Sequence, residues 1–308
     1  MMDWKKVLSI LAFLFIIGLL LLYWYFPSVP SDYSINKNSN FSKEPINSSF
    51  NSSLMQFYEN MRFPLENISY SIENTCNLQK KADMERAFEI IEEKTSLNFY
   101  SSNQGQIHIF CEDRNKIDSE GLFVAGEGGP ANITLGKYFS VIENGQILLI
   151  KSSECPNPNI AIHELLHVLG FQHSDNSNNI MYPVSECDQI ISDDILIKIQ
   201  ELYSYPSLPD LEFEGVSVSI KNRMLDFNYS IRNEGLIKSE NFVVGVYVND
   251  KKIKEIETEG LEMGYGQKVS VENFLLSQMK IDEIKFVIEG DFEELNKKNN
   301  EITLNVTK

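Results

Sequence analysis

The chain has 308 residues, enough for one large domain or two ordinary ones with extras, and its 44 acidic and 27 basic side chains leave a formal net charge of −17. The acids are scattered rather than gathered into a tail, so the surface repels a phosphate backbone and nucleic-acid binding is set aside. A solvated acidic exterior around a sizeable core remains.

Residues 1–6 include Lys5 and Lys6, and Val7 to Phe26 then run for twenty residues without a charge. As a helix at ~1.5 Å per residue, that run spans ~30 Å, the thickness of a bilayer core. Cleavable signal peptides have shorter apolar regions, of ~7 to 15 residues, ended by a small-residue site. This run instead closes on Tyr23, Trp24, Tyr25 and Phe26, side chains suited to a membrane interface. We therefore expect an uncleaved signal anchor at 7–26, with 1–6 cytoplasmic and all that follows outside the cell membrane; secretion after signal cleavage is the alternative.

From 27 to 53 the chain is rich in Ser and Asn and lacks apolar periodicity, which reads as a flexible stalk. Asn40, Asn47 and Asn51 in this stretch, with Asn67, Asn132, Asn228 and Asn305 beyond it, begin N-x-Ser/Thr sequons compatible with glycosylation on an exterior chain. Cys76, Cys111, Cys155 and Cys187 all lie in the exterior part, where thiols are oxidised. Two disulfides are expected; zinc ligation by cysteine lacks the close C-x-x-C pairs it uses.

A region of alternating strands and helices follows, at 54–207. Ile68–Ile72 alternates with period two and reads as a strand; Met84, Ala87, Phe88 and Ile91 mark an amphipathic helix over about 80–94. Leu97–Tyr100, Gln106–Cys111 and Gln146–Ile150 are further strands, the last two apolar enough to be central. Gly121–Pro130 is too rich in glycine for a helix and reads as an irregular edge or loop. His108, in a strand, reads as an ordinary packed or hydrogen-bonded side chain. The next helix is expected over Pro158–Leu169, capped by Asn157 and ended by Gly170. Ser192 then caps a last helix, with Asp193 and Asp194 in its first turn and Ile195, Ile199 and Leu202 on one face.

The stretch from His163 to His173, HELLHVLGFQH, carries the chemistry. On a helix His163 and His167 share a face and can present two imidazoles to one metal. Glu164 lies about 100° round from His163, given ~3.6 residues per turn, and can reach a metal-bound water without being a ligand. Ten residues of straight helix would carry His173 ~15 Å away, so the chain must turn back. Gly170 supplies that turn. Three imidazoles leave one tetrahedral position of zinc open, the arrangement of a catalytic site, where a zinc lowers the pKa of its water and Glu164 acts as general base. Chance produces the five-residue pattern at on the order of one position in 10⁸.

Those residues, followed by Asn179-Ile-Met-Tyr-Pro183, resemble the metzincin metallopeptidases, whose HExxHxxGxxH precedes a Met-turn. Ser174 after the third histidine, the Met-Tyr-Pro sequence and the closing helix Ser192–Tyr203 are most similar to the matrixins. The resemblance covers about residues 54–205. It implies an α+β zincin domain, a twisted mixed sheet with three main helices, one catalytic Zn2+ on His163, His167 and His173, and Met181 as apolar floor. Pro183 stands where some relatives carry a tyrosine ligand, so the shell is three histidines and water. Leu166 replaces a usually small residue, and no cysteine-switch sequence precedes the domain. The family fold also implies the pairings Cys76–Cys111 and Cys155–Cys187, the second bracing the cleft.

Beyond Pro209 helical signals cease. Seven short β-rich segments, at 211–220, 225–232, 241–248, 252–256, 267–274, 282–288 and 302–306, indicate an all-β sandwich over 208–308, with a tight hairpin at Asn249-Asp250. Leu208-Pro-Asp-Leu211, Arg232-Asn-Glu-Gly235 and Glu293–Glu301 resemble CARDB modules, immunoglobulin-like sandwiches, which implies a surface ligand or a spacer role. The function expected is hydrolysis of extracellular protein or peptide substrates by a zinc endopeptidase. The alternative is a surface adhesion protein with a vestigial metal site. Calcium suits so acidic a domain, but no Asp-x-Asp-x-Asp-Gly loop is present.

Overall fold

The computed structural model describes residues 55–114, 116–117, 124–221, 223–278 and 280–306. The anchor expected at 7–26, the stalk at 27–53 and residues 118–123 lie outside the described residues; among these no helix is long and apolar enough to cross a membrane.

The first region is a mixed α/β unit. Its strands are β1 (Met61–Arg62), β2 (Asn67–Ile72), β3 (Asn98–Ser101), β4 (Ile107–Cys111), β5 (Gly126–Leu135) and β6 (Ser140–Leu149). Helix α1 (Leu78–Lys94) follows β2, and α2 (Asn159–Val168) and α3 (Asp193–Tyr203) follow the sheet. β6, β4, β2 and β3 are successive parallel neighbours. β1 pairs with Ser140 and Val141 at the start of β6, while β5 runs antiparallel along the whole of β6. β4 and β6, the most apolar strands, are therefore interior.

Helix α1 starts where Asn77 Oδ1 accepts the Lys80 N–H at 2.9 Å, satisfying a main-chain donor the first turn leaves open. It buries Met84, Ala87, Phe88, Ile90 and Ile91. Together with Ile68, Ile107, Ile109, Ile147, Leu165 and Leu166 these form one core between helices and sheet. His108 accepts or donates at both ring nitrogens, to Ser71 Oγ at 3.0 Å and Glu73 Oε1 at 2.8 Å. Cys76 is bonded to Cys111 and Cys155 to Cys187, the pairing the resemblance implied.

Two helix caps and the extent of two strands differ from expectation. Pro158, not Asn157, occupies the N-cap of α2, with no side-chain cap; Asn157 offers its main-chain oxygen to the Asn159 N–H instead. Ser192 is the N-cap of α3 but makes no capping bond, because its hydroxyl is turned to the Asp194 carboxylate. The glycine-rich stretch is an irregular edge, as expected, but an ordered one that reaches further: β5 runs from Gly126 to Leu135, with register breaks around Asn132. β6 correspondingly begins six residues before Gln146, since β1 and the second half of β5 both pair there.

The second region is a sandwich. One sheet is ordered β10 (Lys251–Thr258), β9 (Phe242–Val248), β12 (Glu283–Glu289) and β13 (Glu301–Asn305). The other is β11 (Gly266–Leu275), β8 (Met224–Asn233) and β7 (Leu211–Lys221). Alternate residues such as Phe213, Phe227, Tyr229, Val244, Val246 and Phe286 fill the space between the sheets. Asn249 and Asp250 have φ of 48° and 63°, the left-handed pair that joins two strands by a two-residue turn.

Arg62 closes the first region where the second begins. Its guanidinium is buried and donates to the main-chain oxygens of Phe63, Leu202 and Tyr205 at 2.9, 2.6 and 3.0 Å and to Ser207 Oγ at 3.2 Å. It also lies 4.1 Å above the Tyr203 ring. Burial holds its pKa below the usual value, the nearby Tyr203 and Glu66 opposing this.

Candidate active site

Helix α2 sets two imidazoles on one face and then stops. Leu169 is its C-cap, and Gly170 follows at φ +98°, a conformation an L side chain resists. The Phe171 N–H returns to the Leu166 oxygen at 3.0 Å and the Gly170 N–H to the His167 oxygen at 2.9 Å, so the chain reverses and delivers His173 beside the helix. His163 Nε2 lies 3.0 Å from His167 Nε2 and 3.2 Å from His173 Nε2.

The other ring nitrogens are already committed. His163 Nδ1 donates to the Ile180 oxygen at 2.6 Å and His167 Nδ1 to the Phe171 oxygen at 2.7 Å. A neutral imidazole that donates through Nδ1 turns a lone pair outward at Nε2. His163 and His167 thus aim lone pairs at His173 and at each other, an arrangement suited to a cation. Burial lowers the His163 pKa to about 4, against the Ile180 hydrogen bond and with help from His173. Burial and then the His163 charge lower that of His167 to about 3, and burial lowers that of His173. All three are neutral, ligand-competent imidazoles at physiological pH.

Glu164 is 6% exposed. Burial, then the charge of Glu127, raises its pKa to about 8. β5 causes that burial: a Cβ on Gly128 would stand 2.4 Å from the Glu164 main-chain oxygen, and one on Gly126 would stand 2.8 Å from its Oε1. The edge strand can lie this close to α2 only where it has no side chains.

The turn at 179–183 supports the opposite side. Asn179 Oδ1 accepts the Met181 N–H at 2.9 Å and Asn179 Nδ2 donates to Ser192 Oγ at 2.8 Å. The Ser174 N–H donates to the Met181 oxygen at 2.8 Å, and the Met181 side chain is fully buried. Asn159 Nδ2 reaches the Glu186 oxygen at 2.6 Å, which with Cys155–Cys187 ties the segment after this turn to the start of α2.

The structure thus brings His163, His167 and His173 together, with Glu164 on the adjoining turn of helix. They form a group able to hold one metal ion, the only such group of His, Cys, Asp and Glu side chains among the described residues. A cavity of about 430 Å³ between the C-terminal end of α1 and α3 is lined by none of them; donor geometry, not concavity, marks the site. Three further contributors are not marked by the HELLHVLGFQH stretch. Gly126 and Gly128 shape the approach to Glu164. Phe57, whose ring centroid is 5.9 Å from that of His167, enters because the Phe57 N–H bonds the Gly170 oxygen at 3.0 Å. The unbroken Gly-Glu-Gly-Gly run was the signal available for the first two; nothing local marked Phe57.

A family model described as Matrixin matches residues 62–204, and one described as CARDB matches residues 208–304. Stromelysin-2 of Rattus norvegicus is 31% identical over 159 residues, covering 44% of this chain and 32% of its own length. The chain thus spans about a third of the length of the curated relative it matches. Among solved structures, the chain is similar to the CARDB domain of a Pyrococcus furiosus protein in complex with di-metal ions, at 22% identity over 32% of this chain and 88% of that one, TM-score 0.29. It is also similar to a putative cell surface protein domain of Methanosarcina acetivorans, at 19% identity over 31% of this chain and 88% of that one, TM-score 0.27.

Proposed function

With residues 62–204 a matrixin domain and residues 208–304 a CARDB domain, we propose that the chain is a zinc-dependent endopeptidase that cleaves protein or peptide substrates outside the cell. The observation that carries this reading is the convergence of three imidazole Nε2 atoms, two of them fixed as acceptors by Nδ1–H bonds to main-chain oxygens. Three nitrogen donors with no fourth protein ligand among the described residues suit a catalytic zinc.

His163, His167 and His173 would hold the ion. When bound, zinc supplies a Lewis acid for the scissile carbonyl and lowers the pKa of water towards ~7. Glu164 takes a proton from the attacking water as the carbon–oxygen bond forms, and returns it to the amine nitrogen as the carbon–nitrogen bond breaks. Its burial suits this work: a carboxylate in an apolar setting is a stronger base than one in water. A cation on the neighbouring imidazoles favours the ionised form it needs.

β5 offers a place for substrate. Among the described residues it pairs with β6 alone, so its outer edge can accept an extended peptide as an added strand beside Glu164. The same proposal places the catalytic unit on the outer face of a membrane, supported by the uncharged run Val7–Phe26 and its flanking lysines.

Glu164→Ala tests the reading. Zinc should remain at one per chain while cleavage of an unfolded protein falls by about 10²- to 10⁴-fold, the span of a lost general base. Wild type that neither binds zinc nor cleaves, or a variant that cleaves undiminished, overturns it.

A further inference from the structure

The turn joining β5 to β6, residues 136–139, is gripped by the C-terminal module. The Lys137 N–H donates to Glu234 Oε2 at 2.6 Å, and Lys137 Nζ donates to Glu212 Oε2 at 2.6 Å. Glu234 is itself held, its other oxygen lying 3.1 Å from Arg232 Nε. Phe139 and Val141, at the start of β6, share a buried cluster with Leu236, flanked by Tyr138, Tyr205, Met263 and Leu295. Gly264 comes so close to β5 that a Cβ there would stand 2.3 Å from Thr134 Cγ2.

The far end of the same strand lies on Glu164, through Gly126 and Gly128. Between these two ends β5 is poorly determined by its own sequence. It contains three glycines and Pro130, and its pairing with β6 is broken on either side of Asn132. Strands with few side chains specify register weakly, and a hairpin's register is set at its turn. Here the turn is anchored by a different domain.

We propose that the CARDB module positions the active-site edge: Glu234, Glu212 and Leu236 hold the β5–β6 turn, and through it fix β5 against Glu164 and in register for an extended peptide. The proposal rests on the endopeptidase reading for its catalytic consequence. Glu234, Glu212 and Leu236 are positioning residues, since they bond the hairpin turn and pack on its base.

The test uses the full chain with zinc content measured. Glu234→Ala combined with Leu236→Ala loosens the grip from the module side, and Lys137→Ala, at a half-exposed side chain, loosens it from the hairpin side without threatening the fold. Glu234→Gln keeps an acceptor for the Lys137 N–H, and Glu255→Ala on exposed β10 is the control. Amide exchange over 126–139 should quicken about fivefold or more in the double variant while β4 and β8 are unchanged, local opening being separable from global unfolding. KM for a peptide long enough to lie along β5 should rise about three- to tenfold, the size of coupling between linked sites, with kcat and the cleavage of a short reporter within twofold. Glu234→Gln should restore wild-type behaviour and Lys137→Ala should give a smaller change of the same kind. Unchanged exchange and KM in both loosened variants overturns the proposal, as does a KM rise equal for long and short substrates. If wild type cleaves nothing, the endopeptidase reading falls and the exchange measurement alone decides whether the module grips the strand.

Discussion

The Cβ that Gly128 lacks would fall 2.4 Å from the main-chain oxygen of Glu164, a distance no relaxed contact permits. Gly128→Ala must therefore push β5 off helix α2. We expect a loss of ~1–3 kcal/mol in stability, typical of overpacking, and at least a tenfold fall in kcat/KM. Gly126→Ala meets the Glu164 side chain instead, which can swing away; it should cost little stability but comparable activity. Gly129→Ala meets nothing within 4 Å and serves as the control. Urea denaturation alongside peptide cleavage separates the three, and equal behaviour of Gly128→Ala and Gly129→Ala would rule out the close approach.

In the zinc-free chain, Glu164 and the histidines respond to pH in opposite senses. Glu164 is raised from 4.5 to about 8, so its contribution to stability is complete below about 4.5 and is lost as pH rises through about 8. His163 and His167 are lowered from 6.5 to about 4 and about 3; their contribution is complete above 6.5 and fades as pH falls towards those values. Glu164→Gln removes only the first effect. At pH 8 the zinc-free variant should be more stable than zinc-free wild type by at least ~1 kcal/mol, a difference that vanishes near pH 4.5. Denaturant titrations at the two pH values measure this, and a constant difference between them is the contrary result.

The two disulfides should differ in consequence. Each closes a loop of similar span, 35 and 32 residues, so removal of either by Cys→Ser pairs should cost ~2–4 kcal/mol. Only Cys155–Cys187 joins the two segments that flank the metal site. Its loss should also raise KM and quicken amide exchange over 181–190, whereas loss of Cys76–Cys111 should leave the KM of the folded fraction within twofold. Equal KM effects would mean that neither bridge acts on the site.

Arg62→Met should be severe. It removes five main-chain or hydroxyl hydrogen bonds inside the protein and leaves the Leu202 and Tyr205 oxygens without their donor. A loss of ~3–5 kcal/mol is expected for breaking a buried charged network. Arg62→Lys should recover less than half of it, because an ammonium cannot span the fork of acceptors. Thermal unfolding of the two variants is sufficient; near-wild-type stability of Arg62→Met would contradict the structure.

The metal site was legible because its parts are consecutive: two histidines a turn apart, a glycine and a third histidine within eleven residues. The seven sandwich strands were equally plain, since Phe227, Tyr229 and Ile231, or Val244, Val246 and Val248, alternate with polar or outward-facing neighbours. β5 was not, because periodicity is read from side chains and Gly126, Gly128 and Gly129 have none. Arg62 was hidden for another reason. A lone arginine in a two-residue strand carries no pattern, and three of its acceptors, on Leu202, Tyr205 and Ser207, lie 140 or more residues away in sequence. The cap of α2 differs by one residue because Asn157 and Pro158 both suit helix starts; Asn157 binds the Asn159 N–H through its main-chain oxygen rather than its side chain.

Arg62 also has a mechanical meaning. β1 lies near the start of the matrixin domain and Ser207 at its passage into the sandwich; one guanidinium bonds Phe63, beside the first, and Ser207 itself. A pull on the CARDB module would meet this clasp at Ser207, whereas a pull on Met55 would act on the Gln172 N–H and, through Phe57, on the Gly170 oxygen. Load from the two sides would therefore reach the histidines differently, from Met55 through the turn that delivers His173 and from Ser207 through Arg62 and α3.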